Sequence, residues 1–154
     1  MEKTNVMRLL DAQKIPYQPH AYDPDITDGQ AVADAVGKPR EETYKTLVAV
    51  AGSGAYYVFV IPVCLTLSLK KAAAAVGEKS ISMLPQRELL PLTGYVHGGC
   101  SPVGMKKPFP VVIDELAQLL GTFCVSAGKR GFQVEVDPQA IAAYTHGKFA
   151  DVTE

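Results

Sequence analysis

The chain has 154 residues, 47% of them hydrophobic and 20% charged, with a formal net charge of −1. That length and apolar content predict one domain, residues 1–154, with a real core. The near-zero charge excludes a globally basic nucleic-acid binder, DNA binders included, so any RNA contact must use a local basic patch. In chain order, "TNVMRLLDAQK" (4–14) places Val6, Leu9 and Leu10 on one face, which predicts an amphipathic helix that Pro16 ends. "YQPHAY" (17–22) alternates, and Pro19 confines that strand to a sheet edge. Thr27 or Asp28 caps a helix over 29–36 that stops at Gly37. "TYKTLVAVA" (43–51) and "YYVFVIPV" (56–63) flank "GSGA" and read as a hairpin. Ser68 caps "LKKAAAAV" (69–76), and "SISML" (80–84) is extended. "QRELL" after Pro85 opens a short helix. "PVVID" (110–114), "TFCVSAG" (122–128) and "FQVEV" (132–136) read as strands, and Asp137-Pro138 opens a last helix. This mixed order predicts an α/β or α+β domain built on a mixed sheet.

No apolar run is long enough to cross a membrane, and Met1-Glu2-Lys3-Thr4-Asn5 lacks the basic-then-apolar order of a signal peptide. Cys64, Cys100 and Cys124 are odd in number and far apart. His20, His97 and His146 show no ligand spacing. These counts predict no disulfide framework, no metal site, no cofactor, and a reducing cytoplasm.

Three stretches stand out. "GGCSPVGMKKPFP" (98–110) has the glycine gap of a phosphate loop, but Met105 holds the lysine position. Pro102 removes an amide from the cradle, and Pro108 and Pro110 prevent a helix from starting. The stretch predicts a stiff wall with exposed amides, or an ordinary tight loop. Lys45 falls on the apolar side of its strand with Leu47, Ala49 and Ala51. Such a lysine is either functional or sits at a frayed end with its head in water. "VSAGKRG" (125–131) ends a strand in small residues and a basic pair, the pattern of a turn with solvated charges.

Together "TYKTL" (43–47), "TGYVHGGCSPVGMKK" (93–107), "VSAGKRG" (125–131) and "KFADV" (148–152) resemble the YbaK family, the prolyl-tRNA-synthetase-associated editing domain, and within it the free-standing Cys-tRNA(Pro) deacylases. The resemblance implies a mixed, mostly antiparallel, barrel-like sheet of about six or seven strands surrounded by helices. It implies removal of cysteine from mischarged tRNA(Pro), with prolyl-tRNA synthetase as a partner that delivers the tRNA. Lys45 matches the family's essential lysine. Gly98, Gly99, Ser101, Pro102 and Gly104 match the loop lining the aminoacyl pocket, and Tyr22, Thr46, Ser126 and Gly128 match other substrate-binding positions. Ala127 stands where relatives carry glycine, and Asp28 where they often carry Phe in an apolar lid. The second departure leaves an alanine-directed deacylase as an alternative, beside a non-catalytic tRNA- or synthetase-binding module. Lys106, Lys107, Lys129 and Arg130 flank the expected pocket and are the candidate tRNA contacts, whereas Lys70 and Lys71 read as solvated charge. With no Ser-His-Asp or Cys-His set visible, substrate-assisted cleavage, by the neighbouring ribose hydroxyl or by the cysteine thiol, fits better than a protein nucleophile.

Overall fold

Helix α1 (Asn5–Ala12) opens where the Thr4 hydroxyl accepts a hydrogen bond from the Met7 amide, and it buries Val6, Met7 and Leu10. Strand β1 (Tyr17–Ala21) follows. Helix α2 (Gly29–Val36) is capped by the Asp28 carboxylate, which accepts from the Ala31 amide, and stops at left-handed Gly37. Strands β2 (Tyr44–Ala51) and β3 (Tyr56–Pro62) form the hairpin, followed by α3 (Leu69–Val76) with its Ser68 cap. After β4 (Ile81–Met83), a turn of 3-10 helix leads into α4 (Leu89–Thr93). Strands β5 (Val111–Asp114), β6 (Phe123–Ser126) and β7 (Phe132–Val136), helix α5 (Pro138–Thr145) and strand β8 (Lys148–Ala150) complete the chain. These elements come from a computed structural model that describes residues 2–154.

The expected barrel-like sheet does not form. The strands make two separate sheets, one of three strands ordered β1-β7-β6 and one of five ordered β4-β2-β3-β5-β8, and neither closes. The five-stranded sheet is also less antiparallel than expected, because β3 pairs with β5, and β5 with β8, in parallel. Among the described residues, the sheets share one isolated bridge, Thr43–Cys124, which is too little ladder to close a barrel. Instead their inner faces stack. Tyr44, Val48, Val58, Val60 and Ile113 meet Phe123, Val125, Val134 and Val136, with α1 and Ile141 of α5 covering the sides. The other face of the five-stranded sheet packs Ala49, Phe59, Ile61 and Val112 against Ala72 and Ala73 of α3. No helix among the described residues is long and apolar enough to cross a membrane.

Pro19 does sit on an edge strand, since among the described residues β1 pairs only with β7. The register fixes what faces where. His20, Gln133 and Ser126 form one cross-strand row, and Gln18, Glu135 and Cys124 form the next. Both rows lie on the face opposite the valine core, because side chains alternate along a strand. That second face carries the floor of the site.

Candidate functional site

A cleft with about 620 Å³ of space, partly open to solvent, lies where β2 begins and the three-stranded sheet ends. Tyr22, Ser126 and Gln133 form its floor. Thr43, Tyr44, Lys45, Thr46 and Leu47 form one wall. Thr27, Gly29 and Val32 at the start of α2 face them, and His97, Gly98 and Cys100 close the rim. Lys45 and the glycine loop, 53 positions apart at Gly98, therefore line one space.

Lys45 is half-buried, paired in register with Ile61. Among the described residues no carboxylate lies within 4.0 Å of its ammonium, and no Asp or Glu lines the cleft. Among the described residues, four buried side-chain polar atoms lack a hydrogen-bond partner in the protein: Tyr22 Oη, Tyr44 Oη, Thr46 Oγ1 and Gln133 Oε1. All four residues line this cleft. A buried polar atom without a partner costs about 1–3 kcal/mol, so such a cluster makes this cleft the candidate site for another molecule's polar groups. Tyr44 is 2% exposed, its ring lies 5.0 Å from that of Phe123, and burial raises its phenol above the ordinary range.

The loop is shaped by what it touches. Gly98 has φ +85°, and a Cβ there would lie 3.2 Å from the Thr27 methyl. A Cβ on Gly99 would lie 3.1 Å from the Arg130 backbone nitrogen, so this glycine lets the loop dock on the 129–131 turn. Arg130 fastens the contact by donating from Nε to the His97 carbonyl at 2.8 Å. The rest of the loop turns away from the cleft. Ser101 is fully buried and accepts from the Val103 amide, and Pro102 is buried beside it. Gly104 and Gly128 both press on Tyr95, whose hydroxyl donates to the Val103 carbonyl. Ser126 lines the floor while its hydroxyl accepts from the Gly128 amide. Of the residues singled out in the sequence, Tyr22, Lys45, Thr46, Gly98 and Ser126 thus line the cleft. Gly99, Ser101, Pro102, Gly104 and Gly128 shape the loop and the strand end behind it.

Asp28 is exposed and spends its carboxylate on capping α2, and Thr27 takes the lining position beside it. Gln133, Tyr44 and His97 were not singled out. Gln133 could have been found, because the "VSAGKRG" turn sets Ser126 opposite Gln133 in the β6–β7 register. Cys100 reaches the rim, but burial pushes its thiol up to about 12. Among the described residues no carboxylate orients the His97 ring within 4.0 Å.

The basic pairs differ in their surroundings. Lys129 pairs with Glu2 at 2.9 Å and lies over the Phe132 ring, while Lys106 donates to the Pro91 carbonyl at 3.4 Å. Lys107 is exposed and makes no ion pair or side-chain hydrogen bond among the described residues. Beside the floor, on the same sheet face, ligand atoms of His20, Cys124 and Glu135 gather within 4.8 Å of one another, which the scattered sequence positions did not suggest. Glu135 already accepts from His20 at 2.9 Å, from Lys38 at 3.0 Å and from Thr122 at 2.9 Å. The Cys124 thiol is pushed up to about 12, mainly by burial. A neutral thiol and a carboxylate already holding an ammonium fit an ion network better than a metal.

Residues 23–144 match the aminoacyl-tRNA editing domain family. A protein of Enterococcus faecalis named "Putative Cys-tRNA(Pro)/Cys-tRNA(Cys) deacylase EbsC" is 44% identical over 154 residues, covering 99% of this chain and 94% of its own. A proline–tRNA ligase of Fervidobacterium nodosum is 24% identical over 124 residues, 80% of this chain but 21% of that longer protein. Among solved structures, a "putative trans-editing enzyme for prolyl tRNA synthetase" superposes with a TM-score of 0.84 at 24% identity, covering 100% of this chain and 99% of that one, a likeness of fold. The match over residues 23–144 and the 44% identity along nearly the whole length place the chain in the aminoacyl-tRNA editing domain family.

Proposed function

We propose that residues 1–154 act as one editing domain in a reducing cytoplasm, a deacylase that clears cysteine from mischarged Cys-tRNA(Pro), with prolyl-tRNA synthetase delivering the tRNA. The observation that carries this reading is the gathering of Lys45, the Gly98 backbone and four unpartnered polar atoms around one cleft. The 44% relationship to a protein named for that substrate supports the choice of amino acid.

The chemistry follows from what the cleft lacks. An aminoacyl ester is already activated, so positioning and charge stabilisation suffice. A Cys100 thiol pushed up to about 12 is a poor nucleophile, and among the described residues no carboxylate lines the cleft as a general base. The substrate therefore supplies the attacking group. The cysteine sulfur attacks its own carbonyl carbon, forming a C–S bond and a cyclic thioester. The C–O bond to the ribose breaks, and the ribose oxygen takes the proton the thiol gave up. Lys45 holds the developing oxyanion or the terminal phosphate, and the Gly98 stretch orients the carbonyl.

Selectivity follows from the same step. One methylene separates similar side chains by only about 1–3 kcal/mol, whereas a step that needs a thiol rejects proline and alanine outright. Assaying tRNA(Pro) charged with Cys, Ala or Ser gives rapid loss of Cys and slow loss of the others. Lys45→Ala abolishes deacylation with an unchanged melting midpoint. Equal turnover of the three esters defeats the thiol step, preferential turnover of the Ala ester selects the alanine-directed alternative, and full activity of Lys45→Ala defeats the assigned site.

A further inference from the structure

We infer that Gln133 reads the α-amino group of the aminoacyl ester and so makes the deacylase dependent on a free amine. This inference rests on the deacylase reading above. An amino-acid ester bound to tRNA carries one group that must donate, the ammonium, and several oxygens that must accept. Ammonium groups are usually met by Asp or Glu, yet among the described residues none lines this cleft. The unpartnered groups divide by chemistry. The hydroxyls of Tyr22, Tyr44 and Thr46 can donate to ester and ribose oxygens, whereas Gln133 Oε1 can only accept.

Position supports the assignment. Gln133 is 6% exposed and sits in the middle of a cross-strand row, between Ser126 and His20. Packed there, the amide has little rotamer freedom to lose on binding. Ser126 is not an equal candidate, because its hydroxyl oxygen already accepts from the Gly128 amide at 3.1 Å. A neutral acceptor also suits a cleft containing Lys45. A carboxylate here would draw the Lys45 ammonium onto itself and away from the ester, while an amide oxygen leaves it available.

The test compares cysteinyl-tRNA(Pro) with 3-mercaptopropionyl-tRNA(Pro), which keeps thiol and ester but lacks the amine. The wild type is expected to prefer the cysteinyl ester by about ten-fold or more in kcat/KM, the range of a hydrogen bond to a charged group. Gln133→Leu, near in size but without an acceptor, is expected to bring the two esters within about three-fold by slowing only the cysteinyl one. Gln133→Glu restores an acceptor and keeps the preference, at a lower kcat/KM for both esters because its carboxylate draws on Lys45. Melting curves of both variants establish that they are folded. A wild type that turns over both esters equally, or a Gln133→Leu that keeps the preference, overturns the inference while leaving the deacylase intact. Loss of turnover with both esters in the wild type brings down the deacylase reading and this inference with it.

Discussion

Tyr44 and Thr46 carry a cost that the folded chain alone does not recover. Their buried hydroxyls bond to nothing in the protein, against the usual pairing of buried polar groups. Deleting them separates stability from function. Tyr44→Phe and Thr46→Val are expected to leave the melting midpoint unchanged or raised, because an unsatisfied buried hydroxyl costs about 1–3 kcal/mol. The same substitutions are expected to lower kcat/KM for Cys-tRNA(Pro) by about ten-fold through the lost substrate bonds. A joint fall of stability and activity makes these residues structural instead. Lys45 stands apart from them, since the residue is only half-buried and among the described residues no carboxylate pairs with it within 4.0 Å.

At the level of elements, α2 and the three-stranded sheet both line the cleft, and Lys38, just past the end of α2, ties them together through Glu135 at 3.0 Å. The His20 hydrogen bond first, and Lys38 next, hold the Glu135 carboxyl down to about 2 from its ordinary 4.5. A carboxyl held low in the fold stabilises it above its unfolded value and loses that contribution as pH falls through the folded one. Glu135→Gln is therefore expected to melt several degrees below the wild type at pH 7, and the gap is expected to close as pH falls from about 4.5 toward 2. A gap that does not change with pH assigns the loss to packing. Most of these elements were legible in the sequence because each carries its own signal. Asp28, Ser68 and Asp137 cap helices, Gly37 stops one, and the β2–β3 hairpin follows from its glycine turn. Pairing between distant strands carries no such local mark. That is why β8 was seen only as part of a motif, and why two stacked sheets were read from the residues as one mixed sheet, which the family resemblance made barrel-like. In the site, Lys45 was visible because a charge interrupts an apolar strand face. Gln133 was hidden because polar residues alternating in "FQVEV" read as an outer, solvated face, whereas α2 and β2 cover that face at this end.

Across the whole molecule, a net charge of −1 gives no long-range pull on tRNA, so association depends on a few lysines and arginines. Lys129 and Lys106 are already engaged, Arg130 spends its Nε on the His97 carbonyl at the rim of the cleft, and Lys107 is exposed. The KM for charged tRNA is expected to rise with salt. Lys107→Glu and Arg130→Glu are each expected to reduce the salt slope by about 0.7–0.9 per phosphate contact removed, with little change in kcat for Lys107→Glu and a fall in kcat for Arg130→Glu, which also releases the His97 carbonyl. Salt-independent KM values in all three proteins place the tRNA elsewhere. The cleft also draws its parts from both layers, its floor from one sheet and its β2 wall from the other, at the point where Thr43–Cys124 is the single bridge between ladders among the described residues. An occupant there works as a rivet. A non-hydrolysable cysteinyl-adenosine amide, bound at a hundred times its Kd, is expected to add about 2.7 kcal/mol of resistance to unfolding. Slower amide exchange is expected along β2 and β7 together, so an editing domain that has captured its cargo is also a stiffer one.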